Sequence, residues 1–465
     1  MSNKFKHAIL LGLIAFALAG CAEEATVPVT ETTPTSAATT AATAAAADAE
    51  PVYRDLGGKT YTIASWFEQT EPEVKRSAQE EALWEFRHEV MENNNFQFEE
   101  IIMGKWNTTL ELLSTSTLAG DPAAEIFHLA SAFARPAIDN GLVYDLTTLD
   151  SIDLDHWKWD DIAKDVTTVG DSIYGVLPDQ TPRNFLFFNK RLLAEAGIES
   201  EQLYEWQANG EWTWEKFEEV ANQVTRDKDN DGISDTYAIE TTGLLYTAAV
   251  ISNGSRMVSK DENGKLHNDI FEPEVIAALE WADQFLKKDF DTHTAHWDGS
   301  DEMFITGGVA FYYGDSNKVS FFQDMEDDYG LLLFPKGPDA DKYYAGGNAE
   351  VWMIPSTYTK EEAENIAFAM DMWASQAPGY DDEDDWMLAE YKRYRDAESV
   401  DQTLAYAKEP GNMVMDYREL LSGAGTNPLT QAMMYKGATV MEAVESFAGT
   451  IDAAVAKANG ETIVK

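Results

Sequence analysis

Residues 61–66 have the sequence YTIASW, residues 96–102 have the sequence FQFEEII, and apolar side chains recur every four residues between them. Short runs rich in β-branched and aromatic residues predict strands, whereas the four-residue spacing predicts an amphipathic helix. That spacing is set by Ala78, Ala82, Phe86 and Val90. A strand, a helix and a second strand in this order indicate an α/β unit.

The same alternation continues through most of the chain. Further strands are predicted at residues 125–129, 185–188, 309–312, 330–334 and 351–354, and further helices at residues 133–140, 190–196, 214–224, 273–286, 360–374 and 440–455. Thr213 and Thr359 stand at N-cap positions, and Pro273 stands where a helix begins. The predicted fold class is therefore α/β.

Length and charge limit the classes of function. The chain has 465 residues, with 34 Lys and Arg against 82 Asp and Glu, and a formal net charge of −48. At about 100–200 residues per domain, this length indicates two or three domains. So acidic a surface repels phosphate backbones and anionic lipid headgroups, which argues against nucleic-acid binding. The aromatic content of 12% leaves rings available for stacking on a ligand.

The N-terminal residues predict export. A short basic start precedes an apolar run at residues 8–19, which is too short to span a membrane and typical of a signal peptide. The run ends in LAGC at residues 18–21, which resembles the lipobox of bacterial lipoproteins. We therefore predict a lipoprotein signal peptide at residues 1–20 and lipid attachment at Cys21. Cys21 is the single cysteine of the chain, so no disulfide is expected.

Residues 21–54 are rich in Thr, Ala and Pro and have almost no large apolar side chains. Such a segment buries too little surface to fold, and we interpret it as a flexible tether. The expected location of the folded part is the outer face of the cytoplasmic membrane, at the cell surface or in the periplasm.

The sequence DKDNDGISD at residues 227–235 is typical of the first nine positions of a calcium loop. The predicted ligands are the carboxylates of Asp227, Asp229, Asp231 and Asp235 and the backbone carbonyl of Ile233. Position 12 of the loop, normally a bidentate Glu, is Ala238, so the missing ligand has to come from Glu240, Glu219 or water. The predicted Ca²⁺ has a structural role, and the alternative is an acidic turn without a metal.

Other motifs carry less information. His293 and His296 are three residues apart but have no partner cluster, so exposed polar histidines are the preferred interpretation. The sequence contains no Walker loop, nucleophile elbow or dinucleotide-binding fingerprint. The acidic run at residues 381–385 is interpreted as a solvated loop.

A series of segments resembles the family 1 extracellular solute-binding proteins, which are the maltodextrin-binding-like receptors of sugar ABC importers. The segments are GDSIYGVLP at 170–178, FFNKRLLAEAGI at 187–198, WTWEKF at 212–217, MFITGGVAF at 303–311, YGLLLFP at 329–335 and GGN at 346–348. They occur in the order of the family, and the resemblance extends from about residue 57 to residue 460.

The resemblance implies two Rossmann-like lobes joined by a hinge, a type II periplasmic-binding-protein fold. One lobe is expected to contain residues 55–178 and about 301–340, and the other residues 183–300 and about 346–465. Hinge crossings are expected near residues 177–182 and 336–345. Ligands of such proteins lie in the cleft and are enclosed when the hinge closes.

By motif position, the resemblance also implies a set of ligand-binding residues. These are Trp66, Glu68, Ser131, Phe133, Asp179, Arg183, Asn184, Tyr246, Asp315, Ser316, Gly347, Asn348, Tyr417 and Arg418. For each aromatic residue the alternative is packing in the core or at the hinge. We expect packing for Trp214 and Phe217, and both interpretations stay open for Trp66.

The implied function is a membrane-anchored receptor that captures a sugar or oligosaccharide and delivers it to an ABC permease, without catalysis and as a monomer. One alternative is a surface carbohydrate-active enzyme, a glycosidase or lyase, because the many acidic residues offer many carboxylate pairs. A second alternative is a receptor for a cationic solute such as a polyamine. The net charge favours that alternative, and Arg183 argues against it.

Overall fold

A computed structural model describes residues 53–178, 184–240, 243–291, 299–347, 350–421 and 427–461. They belong to one compact unit, Tyr53–Lys465. Some of the predicted features lie outside the described residues. They are the signal peptide, Cys21, nearly all of the tether, Asp179, Arg183, His293, His296 and Asn348. None of the described helices combines the length and hydrophobicity that a membrane span requires.

The strands alternate with helices along the chain. The strands are β1 (Lys59–Ser65), β2 (Phe96–Ile102), β3 (Ile126–Ala130), β4 (Thr168–Val169), β5 (Ser172–Ile173), β6 (Asn184–Asn189), β7 (Tyr237–Ile239), β8 (Val258–Lys260), β9 (Leu266–Asn268), β10 (Val309–Asp315), β11 (Tyr329–Leu332), β12 (Ala345–Gly346), β13 (Glu350–Met353) and β14 (Met413–Val414). The helices are α1 (Ala78–Asn93), α2 (Thr109–Leu118), α3 (Ser131–Asp139), α4 (Asp161–Thr167), α5 (Lys190–Glu195), α6 (Ser200–Ala208), α7 (Trp214–Val224), α8 (Leu244–Ser252), α9 (Pro273–Leu286), α10 (Gly299–Ile305), α11 (Lys360–Ala374), α12 (Trp386–Arg393), α13 (Ala405–Lys408), α14 (Asn427–Lys436) and α15 (Val440–Ala458).

Helix boundaries follow the capping signals of the sequence. Thr213 accepts a hydrogen bond from the backbone N–H of Lys216, and Pro273 is the first residue of α9. Thr359 and Glu362 form a reciprocal capping box at the start of α11. These three predicted helix starts are confirmed. Thr213 and Thr359 each satisfy a backbone donor that the helix itself leaves free, whereas Pro273 has no backbone N–H that would need a partner.

Lobe 1 is built around a four-stranded sheet with the order β13-β3-β1-β2. β1 pairs in parallel with β2 and β3, and β13 runs antiparallel to β3. Its core consists of buried side chains such as Ile63, Phe127 and Leu129, and α11 contributes Ile366 and Met370. Each such side chain contributes about 1.5–3 kcal/mol when it is fully buried.

Lobe 2 is built around a six-stranded sheet. Its order is β14-β12-β6-β10-β7, and β11 pairs with β6 beside β12. β6 is antiparallel to β10, β11 and β12, whereas β10 is parallel to β7 and β12 is parallel to β14. The four phenylalanine and leucine residues 185–188 of β6 are completely buried at the centre of its core. The observed mixture of helices and strands around two sheets is the predicted α/β fold.

The chain passes between the lobes more than once. Val176 bridges to Trp352 in lobe 1, and Asn184 begins the central strand of lobe 2. The chain returns to lobe 1 between Gly346, in β12, and Glu350, in β13. It then leaves α11 in lobe 1 for α12, whose residue Trp386 packs against the core of lobe 2.

Two parts of the predicted lobe division are wrong. Residues 309–332 contain β10 and β11, which pair with β6 and therefore belong to lobe 2 rather than to the lobe of residues 55–178. Residues 350–374 contain β13 and α11, which belong to lobe 1. The return crossing consequently lies after Gly346, not at residues 336–345. Local sequence patterns identify strands, but they do not determine which distant strand each one pairs with.

Candidate functional site

The two sheets present equivalent edges to each other. In lobe 1 the carboxyl ends of β1, β2 and β3 lie at one edge, together with Glu350 at the start of β13. In lobe 2 the carboxyl ends of β10 and β12 lie together, beside Asn184 at the start of β6. Only the three residues 347–349 join Gly346 to Glu350, so the two edges approach within about 14 Å there. Open α/β sheets bind their ligands outside these carboxyl ends.

At the lobe 1 edge, the segment that follows β1 presents two aromatic rings. Trp66 is half-buried and Phe67 is 39% exposed. Their ring centroids lie 4.7 Å and 5.3 Å from the ring of His128, and the two rings are in edge contact with each other. Glu68 is exposed beside them. Trp66 is therefore a surface platform with a supported back face, and it is not part of the hydrophobic core.

His128 lies in a buried cluster of charges beneath these rings. Its Nδ1 is 2.9 Å from Oε1 of Glu100, and its Nε2 is 3.0 Å from Oε2 of Glu350. Burial lowers the pKa of His128, but the bonds to Glu100 and Glu350 outweigh that effect, so the pKa is raised above its ordinary value. The imidazolium form is favoured because each ring nitrogen faces a carboxylate.

Ser131 and Phe133 begin α3, directly after β3, at the same edge. Ser131 is buried, whereas Phe133 is half-buried and lies 6.0 Å from the 56% exposed ring of Trp106. The structure thus adds Trp106 to the aromatic surface that the sequence predicted at Phe133.

A cavity of 310 Å³ opens near the start of α1. It is lined by aromatic side chains and by charged groups, among them Trp157, Tyr380, Trp386, Lys158, Glu390 and Lys408. Because α1 connects two parallel strands, it begins at the carboxyl edge of the sheet, and the neighbouring end of α11 returns to that edge. Gln79 on α1 donates a hydrogen bond to the carbonyl of Asp385, before α12. The cavity therefore lies on the same side of lobe 1 as the edge that carries Trp66, and we refer to this side, between the two sheet edges, as the groove.

Neighbouring groups fix the positions of the two lysine side chains in this cavity. Nζ of Lys158 is 2.8 Å from the carboxylate of Asp371 and donates to the hydroxyl of Ser375 at 3.0 Å. Nζ of Lys408 lies 5.1 Å from the ring centroid of Trp386. Fixed polar groups next to aromatic rings can orient a ligand that has both apolar faces and hydroxyl groups.

At the lobe 2 edge, Asn184 and Asp315 are opposite each other on β6 and β10. Nδ2 of Asn184 donates to the carbonyl of Gly346 at 3.2 Å. The Asp315 carboxylate accepts a hydrogen bond from the backbone N–H of Asn317, and Ser316 is buried in the turn between them. Gly347 follows at the crossing, where its N–H donates to the carbonyl of Val414. The predicted residues Asn184, Asp315, Ser316 and Gly347 are thus brought together.

The structure does not place Tyr246 or Arg418 at this groove. Tyr246 lies on α8, is 1% exposed, and its hydroxyl hydrogen-bonds with Asp283 of α9, so the prediction that it contacts ligand is wrong. Arg418 is completely buried, and its Nε lies 3.6 Å from the Asp416 carboxylate. The prediction that Arg418 contacts ligand is therefore wrong as well. Both side chains pack inside the protein, where the sequence pattern alone does not separate them from surface loops.

Tyr417 connects the two lobes. Its hydroxyl donates to the carboxylate of Asp165 on α4, and its ring lies 5.0 Å from Nζ of Lys260 on β8. Burial is the main reason why the pKa of Tyr417 is raised, and the hydrogen bond to Asp165 raises it further.

Trp214 and Phe217 are buried in stacked pairs with Trp281 and Phe285, so the predicted packing role of both is confirmed.

The acidic loop brings three of its predicted cation ligands together. Carboxylate oxygens of Asp227, Asp229 and Asp235 lie within 4.8 Å of one another. Asn230 and Gly232 make the turn with φ values of 63° and 90°. The backbone N–H of Gly232 is the largest influence that lowers the pKa of Asp227. Three converging carboxylates at the surface fit a hard cation such as Ca²⁺.

The remaining predicted ligands of this loop fit less well. Asp231 is not in the converging group, and its carboxylate accepts from the backbone N–H of Ile233. Glu219 pairs with Lys216, and Glu240 is buried beyond the far end of β7. Of the three sources considered for the missing ligand, water is the one that the geometry favours.

Sequence reasoning missed Trp157, Tyr380 and Trp386. Tyr380 and Trp386 flank the acidic run 381–385, whose own residues are mostly exposed as predicted. The sequence signal that could have found two of them is the pair of large aromatic residues at either end of this acidic run.

Comparisons with known proteins agree with this architecture. The sequence profile of a known family, described as bacterial extracellular solute-binding protein, matches residues 85–382. No curated protein sequence matches the chain. Among solved structures, the ABC substrate-binding protein Lmo0181 from Listeria monocytogenes in complex with cycloalternan has a TM-score of 0.60 and 17% identity, over 87% of this chain and 99% of that one.

Two further structures show the range of ligands on this fold. The sugar-binding protein MalE from Xanthomonas citri has a TM-score of 0.60 and 16% identity, over 86% of this chain and 98% of that one. UgpB from Mycobacterium tuberculosis, in complex with glycerophosphocholine, has a TM-score of 0.61 and 16% identity, over 81% of this chain and 95% of that one. At such identities the likeness establishes the two-lobed fold alone.

Proposed function

Because the chain belongs to the bacterial extracellular solute-binding proteins, we propose that it captures an oligosaccharide between its lobes and delivers it to the permease of an ABC importer. Binding leaves the ligand chemically unchanged in this proposal. The closed, ligand-bound form is the one that the permease recognises, and the ligand favours it by contacting both lobes.

The observation that carries the proposal is the arrangement of aromatic rings along the groove. Trp66 and Phe67 lie at the edge of lobe 1, and Tyr380 and Trp386 line the cavity beside α1. A sugar ring has apolar C–H faces and a rim of hydroxyl groups, so it needs aromatic surfaces and fixed polar groups together. Separate aromatic sites along one groove favour a ligand of several sugar units.

Similar structures support a carbohydrate without selecting one. The Listeria and Xanthomonas proteins are described with cycloalternan and as sugar-binding, whereas the Mycobacterium protein holds glycerophosphocholine. The charges of the cavity do not decide between a carbohydrate and a polyamine, because Lys158 and Lys408 line it together with Glu80, Asp382 and Glu390. The support for a carbohydrate comes from the aromatic rings and from the similar structures.

The membrane anchor belongs to the same proposal. A lipid on Cys21 and the tether at residues 21–54 would hold the folded part, as a monomer, near the permease. The support is the resemblance of residues 18–21 to a lipobox. Mass spectrometry of the membrane-extracted protein tests this anchor, because a Cys21→Ser variant should lose both the lipid mass and membrane association.

A structural Ca²⁺ at Asp227, Asp229 and Asp235 is proposed as well. These side chains would hold the ion, which would supply a fixed positive charge that ties the end of α7 to the start of β7. The ion lies in lobe 2 and takes no part in ligand contact in this proposal.

Calorimetry and thermal unfolding with a panel of solutes test the function. We expect maltotetraose or mannotriose to raise the Tm, and glycerophosphocholine and spermidine to leave it unchanged. Long incubation should create no new reducing ends, which separates a receptor from a glycosidase or lyase. A panel in which only spermidine or glycerophosphocholine binds would overturn the proposal.

A further inference from the structure

His128 is enclosed by aromatic rings as well as by carboxylates. Trp66, Phe67 and Trp352 have ring centroids 4.7 Å, 5.3 Å and 6.3 Å from its ring. Only 3% of its side chain is exposed. A cation within about 6 Å of an aromatic ring is attracted to the ring electrons, most strongly where water is excluded. Trp66 and Phe67 lie within that distance, so an imidazolium at His128 would attract both rings.

The charges that face His128 come from several elements. β2 contributes Glu100 and β13 contributes Glu350. α1 contributes the buried Arg87, which interacts with Glu100. The segment after β1 contributes the two rings, and its own carboxylate, Glu68, is exposed. With His128 protonated, two cations balance two anions, whereas a neutral His128 would leave a net negative charge buried among aromatic rings.

The cluster touches both features on which ligand capture depends. Trp66 is the platform at the lobe 1 edge, and Glu350 is the first residue of β13, directly after the crossing at residues 347–349. His128 thus contacts both the platform and the lobe 1 end of this crossing.

We propose that His128 is a positioning residue, which as an imidazolium holds the Trp66 platform and Glu350 in the arrangement that binds ligand. This inference rests on the proposed function, in which Trp66 stacks on a sugar. Ligand binding then depends on one buried proton.

The sign of the pH dependence follows from the direction of the shift. His128 has a folded-state pKa above its ordinary value of 6.5, so its contribution is complete below pH 6.5 and is lost as the pH rises through the folded-state pKa. The platform therefore loosens as the pH rises through the folded-state pKa, where His128 loses its proton. The loss of a cation–π contact corresponds to an affinity that is lower by about threefold to tenfold.

The first test requires no ligand. Ring-labelled histidine and 5-fluorotryptophan are incorporated into the full chain, and the NMR signals of His128 and Trp66 are assigned with His128→Gln and Trp66→Phe. The chain has 7 His and 13 Trp, so both spectra are resolvable. We expect the Trp66 signal to titrate with the same midpoint as His128, above pH 6.5. A Trp66 signal that does not change with pH, or that titrates unchanged in His128→Gln, would overturn the inference.

A second variant covers the case in which His128→Gln does not fold. Glu350→Gln removes one of the two carboxylates that face His128. The Glu350 side chain is 14% exposed, so the fold should tolerate this change more easily. The pH midpoint of the His128 and Trp66 signals should fall in this variant. Unchanged midpoints would contradict the inference. His267→Gln is the control, because His267 pairs with Asp261 at the surface of β9.

The final test uses maltotetraose and mannotriose as probes, with calorimetry at pH 6 and at a pH above the His128 midpoint that the NMR titration measures. We expect the bound probe to lose about threefold to tenfold in affinity above that midpoint in the parent and in His267→Gln, and to lose it at a lower pH in Glu350→Gln, whose midpoint is lower. A parent affinity independent of pH refutes the positioning role of His128 alone. Absence of any binding at either pH refutes the proposed function, while the NMR titration still decides whether His128 controls Trp66.

Discussion

Lys260 donates a hydrogen bond from Nζ to the backbone carbonyl oxygen of Asp165 at 3.0 Å, and it also pairs with the Asp165 carboxylate. Lys260 ends β8 of lobe 2, and Asp165 is on α4 of lobe 1. The hydroxyl of Tyr417 meets the same carboxylate. The lobes are therefore joined by a bonded group of side chains in addition to the chain crossings.

Replacing Lys260 should lower the stability of the protein by a measurable amount. Lys260→Met removes a cation that makes two bonds and is only 16% exposed, and we expect the free energy of unfolding to fall by about 1–3 kcal/mol. The matched control is Lys265→Met, because Lys265 pairs with Glu461 at 51% exposure, where water and salt screen the pair and its loss should have little effect. Urea denaturation measures both. Equal losses in the two variants would show that the contact between the lobes stabilises the protein no more than an exposed ion pair does.

Removing an aromatic ring from the cavity should affect binding more than stability. Trp386→Ala takes away a half-buried ring that lines the cavity, and we expect the affinity for a bound oligosaccharide to fall about tenfold or more. Calorimetry measures this loss. Trp281→Ala is the control, since Trp281 stacks on buried Trp214 with centroids 4.3 Å apart. That variant should lose stability and keep its affinity. If Trp386→Ala keeps its affinity and Trp281→Ala loses it, the cavity is not part of the ligand site.

The elements of this fold were largely predictable, because their signals are local. Thr359 and Glu362 satisfy each other's backbone N–H groups three residues apart, and Pro273 at the start of α9 has no N–H that would need a partner. The strand 96–102 was predicted with the bounds that the structure shows. Such features depend on side chains and backbone groups that are close in sequence.

What the sequence could not supply depends on distant contacts. The antiparallel pairing of β10 with β6 joins residues more than a hundred positions apart, so the lobe division was partly wrong. The charged cluster of His128 combines Glu100 and Glu350 from different strands, and no local pattern marks it. The same reason explains why Tyr246 was predicted at the site although it packs in the core.

Calcium should stabilise the protein through the loop at residues 227–235. We expect millimolar Ca²⁺ to raise the Tm by about 2–4 °C relative to protein treated with EGTA. Asp229→Asn should abolish the increase, because Asp229 is one of the three converging carboxylates. Asp384→Asn removes the same charge from an exposed position outside the loop and should preserve the response. An equal response in both variants would contradict the metal site.

The calcium effect should also depend on pH. The backbone N–H of Gly232 lowers the pKa of Asp227, so the carboxylate form is present above its unfolded-state pKa and is lost as the pH falls through the lower folded-state pKa. The increase in Tm with Ca²⁺ should thus persist from neutral pH down to mildly acidic pH and disappear at stronger acidity. A response that disappears only on the alkaline side would exclude Asp227 as a ligand.

Two glycine substitutions should change stability in opposite directions. A Cβ at Gly330, in β11, would lie 2.4 Å from Cζ of Phe188 and 2.4 Å from the hydroxyl of Tyr204, so Gly330→Ala overpacks the centre of lobe 2 and should cost about 1–3 kcal/mol. A Cβ at Gly449, inside α15, has no atom within 4 Å, so Gly449→Ala should gain about 0.5–1 kcal/mol from helix propensity. Urea denaturation of both variants separates the two effects. A stabilised Gly330→Ala would mean that β11 is not packed against β6 as described.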